Sequence, residues 1–326
     1  MANIVAAGAG RMGRGIAIVF AYAGHAATLV DIKARPAEDL ARLRAAALGE
    51  VRATLEMLAD IGAMTAEAVE PILGRVGFAG LEEAPAALAG ADVIFEGVPE
   101  TLPAKREAFA LLSRLARPDA VIASTTSTIM ADELQALVAP PGRFLNDHWL
   151  NPAYLVPLVE VSPGSATDPA VTGRLVALLE SIGKVPVVCK ASPGFIVPRL
   201  QALVMNEAAR LVEEGVASAE EIDKATRFGL GFRFSVLGVL EFIDWGGGDI
   251  LYHASRYLAD AMGSDRFAAP KVIEDNMAVG RNGLRERAGF LDYATMDVEA
   301  YRRQRLAAFV AQLRHMGALR APVVPE

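Results

Sequence analysis

The chain has 326 residues, 53% of them hydrophobic and 22% charged, with a formal net charge of −7 at pH 7. That length suggests two domains with ample material for a core. The negative balance argues against non-specific binding to nucleic acid or to an anionic membrane, and no apolar run reaches the roughly 18 residues that a membrane span needs. A single cysteine, Cys189, leaves no internal disulfide and no cysteine zinc cluster, and the four dispersed histidines (His25, His148, His253, His315) show no metal-ligand spacing. The first twenty residues lack the basic and apolar regions of a secretory signal. The expectation is a cytoplasmic protein without a structural metal.

The N-terminus, Asn3 to Asp31, organises the chain. It reads as a strand (Asn3–Ala7), a glycine turn (Gly8-Ala9-Gly10-Arg11-Met12-Gly13), a helix to about Gly24 and a second strand ending at Asp31. This is G-x-G-x-x-G where a strand gives way to a helix. Gly8 permits the tight turn, Gly10 lets a pyrophosphate approach the backbone, and Gly13 lets the helix pack close to the strands. The helix N-terminus presents free N–H groups to the diphosphate. Asp31, 18 residues after Gly13, can accept from a ribose 2′-OH and repel a 2′-phosphate, which reads as NAD rather than NADP. The competing reading is a glycine-rich turn in another α/β protein, or a nucleotide fold that has lost its ligand.

Residues 37–60 read as one long helix, with Leu40, Leu43, Ala47, Val51, Leu55 and Leu58 forming an apolar stripe. Gly62 ends it, and Thr65 opens a shorter helix as N-cap, with Glu67 in its first turn. A helical hairpin is therefore inserted before the strand near Gly74–Gly80, either as a packing elaboration or as a flap over the substrate mouth. Strands follow at Asp92–Glu96, Val121–Ser124, Phe144–His148, Val156–Val161 and Val185–Cys189, with helices between them, including 104–115 and 169–182. This is the grammar of a parallel doubly wound, Rossmann-type α/β sheet with late antiparallel additions.

The grammar changes at Ser192-Pro193-Gly194, and the domain boundary is drawn at 190. Pro198 suits the first turn of a helix running to about Glu214. Helices over 217–228, on both sides of Gly246-Gly247-Gly248, and over 298–316, the last amphipathic, complete an all-α C-terminal domain (191–326). The tail Arg320–Glu326 reads as frayed or used in a contact.

Ligands of open α/β sheets bind beyond the carboxyl ends of the strands. Three clusters fall there: Pro99-Glu100 followed by Lys105, Ser124-Thr125-Thr126-Ser127, and Asp147-His148-Trp149-Leu150-Asn151-Pro152. His148 is the best general base on offer, since neutral imidazole can take an alcohol proton near pH 7. Glu160 is an acid in an apolar strand, costly unless paired; if the connection folds back, it can hold one ring nitrogen of His148. A lone loop histidine is otherwise structural. Ser127 is either a donor to the substrate oxygen or a helix cap, and Asn151 either a ligand contact or turn chemistry.

These motifs resemble the soluble 3-hydroxyacyl-CoA dehydrogenase family over essentially the whole chain. The resemblance rests on G-A-G-R-M-G-R-G-I-A, V-P-E at Val98–Glu100, A-S-T-T-S at Ala123–Ser127, H-W-L-N-P at His148–Pro152, L-V-E-V at Leu158–Val161 and S-P-G-F-I-V-x-R at Ser192–Arg199. It implies that His148 is the general acid/base, Glu160 its partner and Ser127 a contact to the reacting oxygen. Gly8, Gly10, Arg11, Met12, Gly13, Asp31, Glu100, Lys105, Ser127, Asn151 and Arg285 would surround NAD, with Ser127 and Asn151 also facing substrate. It further implies a homodimer joined through the C-terminal helices. Two positions depart from the family pattern: Pro198 and Thr125 stand where the family has Asn. Pro198 cannot donate a hydrogen bond, so one substrate contact is missing or moved.

Family members acting on acyl-CoA contact CoA from the inserted helix with Ser and Lys; counted from Asp31 without gaps, those places hold Ala47 and Thr54. The hairpin carries Arg42, Arg44 and Arg52 but no lysine, and its second half is acidic (Asp60, Glu67, Glu70). Arg210–Gly215, Gly229–Phe234 and Leu240-Glu241 resemble the branch holding L-gulonate 3-dehydrogenase and lambda-crystallin. Arg233 then becomes the candidate grip for a free substrate carboxylate, or else a surface arginine paired with any nearby acid. The expected activity is NAD-dependent oxidation at C3 of an L-3-hydroxy acid, a free acid such as L-gulonate or 3-hydroxybutyrate ahead of a CoA thioester. The alternative of another class is an inactive NAD-binding structural or sensor protein.

Overall fold

The structure, a computed structural model, describes residues 1–323. The tail read as Arg320–Glu326 lies outside the described residues from 324 on. The chain divides into two compact units, Met1–Val204 and the remainder from Met205. The division falls within the helix Val197–Glu213, whose start is bound to the sheet unit through Glu160.

The first unit is built on one eight-stranded sheet. β1 (Asn3–Ala7), β2 (Ala26–Val30), β3 (Val76–Ala79), β4 (Val93–Glu96), β5 (Val121–Ser124) and β6 (Phe144–Trp149) are parallel, in the order β3-β2-β1-β4-β5-β6. β7 (Leu158–Pro163) joins β6 antiparallel, and β8 (Val185–Val188) runs parallel to β7. Helices cover both faces of the parallel part, so its strands are apolar almost throughout. One apolar cluster joins Ile4, Phe20, Phe95 and Trp149; the other joins Val5, Ile94, Phe109 and Phe144. From β3 the chain crosses back past β1 to β4, and the crevice at such a switch point is where α/β sheets bind ligands.

The inserted hairpin begins with the helix Ala37–Asp60, whose first turn carries Glu38 and Asp39 at the positive end of its dipole. Ala47, Val51, Leu55 and Leu58 are buried in the same cluster as Ile4 and Phe20, so this helix is part of the packed sheet unit. Its second arm differs from the sequence expectation. Thr65 makes no capping bond to the backbone, and the arm is a 3-10 turn, Ala66–Ala68, followed by the short helix Val69–Leu73. Short helices at Ala84–Ala89 and Ala131–Gln135 also escape the periodicity, being about one and a half turns each.

The second unit is helical among its described residues, apart from isolated bridges at Gly283, Ala288 and Asp292. Helix Ala219–Ala225 is capped by Ser218 and runs into a π-helical stretch, Thr226–Gly231, and the short segment Phe232–Phe234. Gly247 separates Val239–Gly246 from Gly248–Met262. Lys271–Ala278 was not foreseen from sequence. Val298–His315 is capped by Asp297 but is not the amphipathic helix expected: none of its residues is buried, and Leu306 is 55% exposed. Asp244 anchors this unit, accepting the N–H groups of Phe290 and Leu291 and the Tyr293 hydroxyl.

Candidate active site

The glycine turn has the geometry its spacing implies. Gly8 has φ of 121°, and a Cβ there would lie 2.7 Å from the Gly97 carbonyl oxygen. A Cβ on Gly13 would lie 2.0 Å from the Gly8 oxygen, whereas one on Gly10 would meet nothing within 4 Å. Helix Arg11–Tyr22 starts with no side-chain cap and no acid in its first turn, leaving its N-terminal N–H groups to an external acceptor. Beside it is a cavity of about 450 Å³ lined by Gly8, Gly10, Asp31, Lys33, Arg35, Gly97 and Pro99, among others. An open backbone at Gly10, an uncapped helix end and a carboxylate at the end of β2 fit a dinucleotide.

At the ends of β4 and β5 the structure assembles a polar cluster. Glu96 is fully buried and accepts from Lys105 Nζ at 2.9 and 3.0 Å, from the Ser124 hydroxyl at 2.7 Å and from the Val98 N–H at 2.7 Å. Lys105, only 1% exposed, also lies 3.3 Å from Glu100. Lys105, expected beside the cofactor, is thus turned inward onto Glu96. Glu100 accepts from the hydroxyls of Thr126 and Thr128 and from the Ser127 N–H at 3.2 Å. Partial burial works against the Glu100 charge, but Thr126, Lys105 and Thr128 outweigh it and hold its pKa below the usual carboxylate value. The Ser127 backbone is fixed in this way, while its side chain is exposed and unbonded among the described residues.

His148 and Glu160 are directly opposite on β6 and β7, so their side chains share a face of the sheet. Nδ1 of His148 lies 2.7 Å from Glu160 Oε2, and both side chains are buried. An ionised carboxylate only accepts, so it assigns the proton to Nδ1 and leaves Nε2 with a free lone pair. The other oxygen of Glu160 accepts the N–H groups of Ile196 and Val197 at 2.9 and 2.8 Å. The start of helix Val197–Glu213 therefore braces the acid that braces the base. Pro198 follows at a position where its missing N–H disturbs neither bond. Phe195, held at φ of 44° after Gly194, stacks on the imidazole with centroids 5.4 Å apart and planes inclined by 16°. Asn151 is exposed just past the end of β6.

The neighbouring Asp147 points to the opposite face. It is fully buried; Oδ2 accepts from Trp149 Nε1 at 2.8 Å, and Oδ1 has no partner among the described residues. Burial, only partly offset by the Trp149 bond, pushes its pKa up to about 7.

The two arginines of interest belong to the second unit. Arg285 is tied to Asp249 at 3.0 Å and to Glu286 at 2.6 Å. Arg233 is exposed, lies 5.3 Å over the Phe242 ring, and has no ion pair among the described residues.

Family models match both parts of the chain: 3-hydroxyacyl-CoA dehydrogenase, NAD binding domain, over residues 3–192, and 3-hydroxyacyl-CoA dehydrogenase, C-terminal domain, over residues 194–293. The chain belongs to the 3-hydroxyacyl-CoA dehydrogenase family. It is 31% identical to 5-formyl-3-hydroxy-2-methylpyridine 4-carboxylate 5-dehydrogenase of Mesorhizobium japonicum, over 96% of this chain and 97% of that one. It is 36% identical to the lambda-crystallin homolog of Bos taurus, over 78% and 77%. Among solved structures it resembles the 3-hydroxyacyl-CoA dehydrogenase of Archaeoglobus fulgidus, with a TM-score of 0.76 and 30% identity, covering 98% of this chain and 100% of that one.

As a member of this family it is an NAD-dependent oxidoreductase. Bound NAD⁺ supplies the hydride acceptor; the chain supplies the proton chemistry. With its proton on Nδ1, His148 has an Nε2 lone pair able to accept a proton, and a carboxylate 2.7 Å from the ring would stabilise the cation so formed. Two contributors to the site escaped the sequence reading: Glu96 and Phe195. Glu96 carried the same signal as Glu160, an acid within an apolar strand.

Proposed function

We propose that the protein oxidises the 3-hydroxyl of a small L-3-hydroxy acid to the 3-oxo product with NAD⁺, and that the substrate is a free acid rather than a CoA thioester. The observation that carries the chemistry is the His148–Glu160 pair, with Nε2 left free. In this reading His148 takes the hydroxyl proton, Ser127 donates to the reacting oxygen, Asn151 lines the substrate and nicotinamide end, and Arg233 grips the carboxylate.

The inserted helix supports the free acid. Arg42 is paired with Asp39, Arg44 with Glu83 and Arg52 with Glu70, so each of these cations already has a carboxylate partner. Ala47 is buried, and the Thr54 hydroxyl donates to the Glu50 carbonyl. CoA phosphates would have to displace those acids. Arg285, expected beside NAD, has Asp249 and Glu286 as carboxylate partners. A ring-bearing carboxylate is a second substrate class, favoured by the match to the Mesorhizobium japonicum dehydrogenase along almost the full length of both chains.

The test is steady-state kinetics with NAD⁺ against L-gulonate, 3-hydroxybutyrate, 3-hydroxybutyryl-CoA and a formylpyridine carboxylate. A free acid should give the highest kcat/KM. Strong preference for the thioester would overturn the Arg233 assignment.

We further propose a cytoplasmic homodimer. Helix Val197–Glu213 buries none of its residues, and Leu203 and Met205 on it are 64% and 65% exposed. Ile250, Tyr257 and Val279 in the second unit are 62%, 73% and 70% exposed. Exposed apolar side chains of this kind support that reading.

A further inference from the structure

The cavity at the ends of β1, β2 and β4 carries more positive charge than a ribose diol requires. A lone carboxylate at the end of β2 selects NAD because it accepts from the 2′-OH and repels a 2′-phosphate. Here Asp31 does not stand alone. Arg35, four residues on, donates its Nε to Asp31 Oδ2, and both line the cavity. The two terminal nitrogens of Arg35 have no acceptor among the described residues, and its side chain is 34% exposed. Lys33 lines the same cavity, is exposed and has no ion pair among the described residues. Arg14, also at the cavity, is neutralised by Glu50 at 2.5 Å. With that pair cancelled, Asp31 against Lys33 and Arg35 leaves a local charge of +1 where an isolated Asp31 would leave −1.

A phosphate arriving beside Asp31 would therefore meet a guanidinium fork with unused donors and a free ammonium, the groups that recognise phosphate best. We propose that Arg35 and Lys33 let this cavity take a 2′-phosphorylated dinucleotide, NADP(H), as a second and weaker ligand in the same place as NAD(H). The 2′-phosphate lies at the adenosine end, so the His148 chemistry is unaffected. The inference rests on the dinucleotide cavity and is independent of which hydroxy acid is the substrate.

The experiment is a binding titration of the full chain with NADH and with NADPH, followed by nicotinamide fluorescence without a hydroxy acid, on wild type, Arg35→Ala, Arg35→Lys and Lys33→Ala. NADPH should bind saturably, compete with NADH and be weaker by no more than about 100-fold. Arg35→Ala should weaken NADPH by roughly tenfold, the loss expected for one charge-assisted phosphate contact, and leave NADH within about threefold. Lys33→Ala should act in the same direction, and Arg35→Lys should keep most of the NADPH affinity. NADH binding without saturable NADPH binding overturns this proposal alone. Equal weakening of both ligands by Arg35→Ala also overturns it, because Arg35 would then serve only to brace Asp31. Binding of neither ligand overturns the assignment of the cavity itself.

Discussion

His148 Nδ1 and Glu160 Oε2 are 2.7 Å apart because antiparallel pairing of β6 and β7 sets the two residues directly opposite. The pairing fixes which nitrogen carries the proton and which is left for substrate. His148→Gln removes that base while leaving the glycine turn intact. It should lower kcat by roughly 10²- to 10⁴-fold, the usual range for a general base, with NADH affinity unchanged.

Glu160 has two tasks, and two variants separate them. Glu160→Gln keeps an acceptor for the Ile196 and Val197 N–H groups but turns an amide NH₂ toward His148, which favours the wrong tautomer. It should lose activity with a melting temperature near wild type. Glu160→Ala also leaves two backbone N–H groups without their acceptor. It should be destabilised by about 2–3 kcal/mol more than Glu160→Gln in denaturant unfolding.

Gly10 and Gly13 are both required, for different reasons. A Cβ on Gly10 meets no protein atom, so Gly10→Ala should fold normally and fail at the cofactor, with NADH binding weakened at least tenfold. A Cβ on Gly13 would sit 2.0 Å from the Gly8 carbonyl oxygen, a backbone atom that cannot turn aside. Gly13→Ala should lower the melting temperature as well as NADH affinity. Equal effects of the two substitutions on stability would contradict this division.

The parts of the site carried by local pattern were legible in the sequence. Gly8, Gly10 and Gly13 lie within six residues, and the strand–turn–helix context around them is local. The His148–Glu160 contact required folding, but an acid in an apolar strand marked Glu160 as a group needing a partner. Phe195 carried no such mark, because its stacking depends on a left-handed backbone after Gly194 and on a strand 47 residues earlier. Lys105 shows the same limit: nothing local in the sequence reveals that Glu96, nine residues before it, holds its ammonium in the core. Thr65 had the right residue type for a cap, but the backbone after it turned as 3-10 and made no use of the hydroxyl.

The exposed apolar face of helix Val197–Glu213 leads to a prediction about assembly. Sedimentation of the full chain should give a dimer at micromolar concentration. Leu200→Glu combined with Leu203→Glu places charges on one face, where the two residues, three apart on the helix, are 45% and 64% exposed in the single chain. The double variant should shift the population toward monomer without unfolding it, since neither side chain is part of a core. A wild-type monomer at that concentration would contradict the proposal.

Asp147 makes stability depend on pH in a direction unusual for an aspartate. Its pKa is raised from 3.8 to about 7, chiefly by burial, so the folded state holds a proton between those values that the unfolded state has released. The contribution is fully present below about pH 4 and is lost as pH rises through about 7. At about 1.4 kcal/mol per pH unit of displacement, the loss across that window is of order a few kcal/mol. Asp147→Asn cannot ionise and keeps an oxygen for Trp149 Nε1, so the variant should lack this fall. Its amide NH₂ would face the site where Oδ1 has no partner, which imposes a cost, but one that does not vary with pH. The slope is therefore the readout: denaturation midpoints from pH 4 to 8 should fall less steeply for Asp147→Asn than for wild type. Parallel curves would mean that Asp147 is already ionised in the fold.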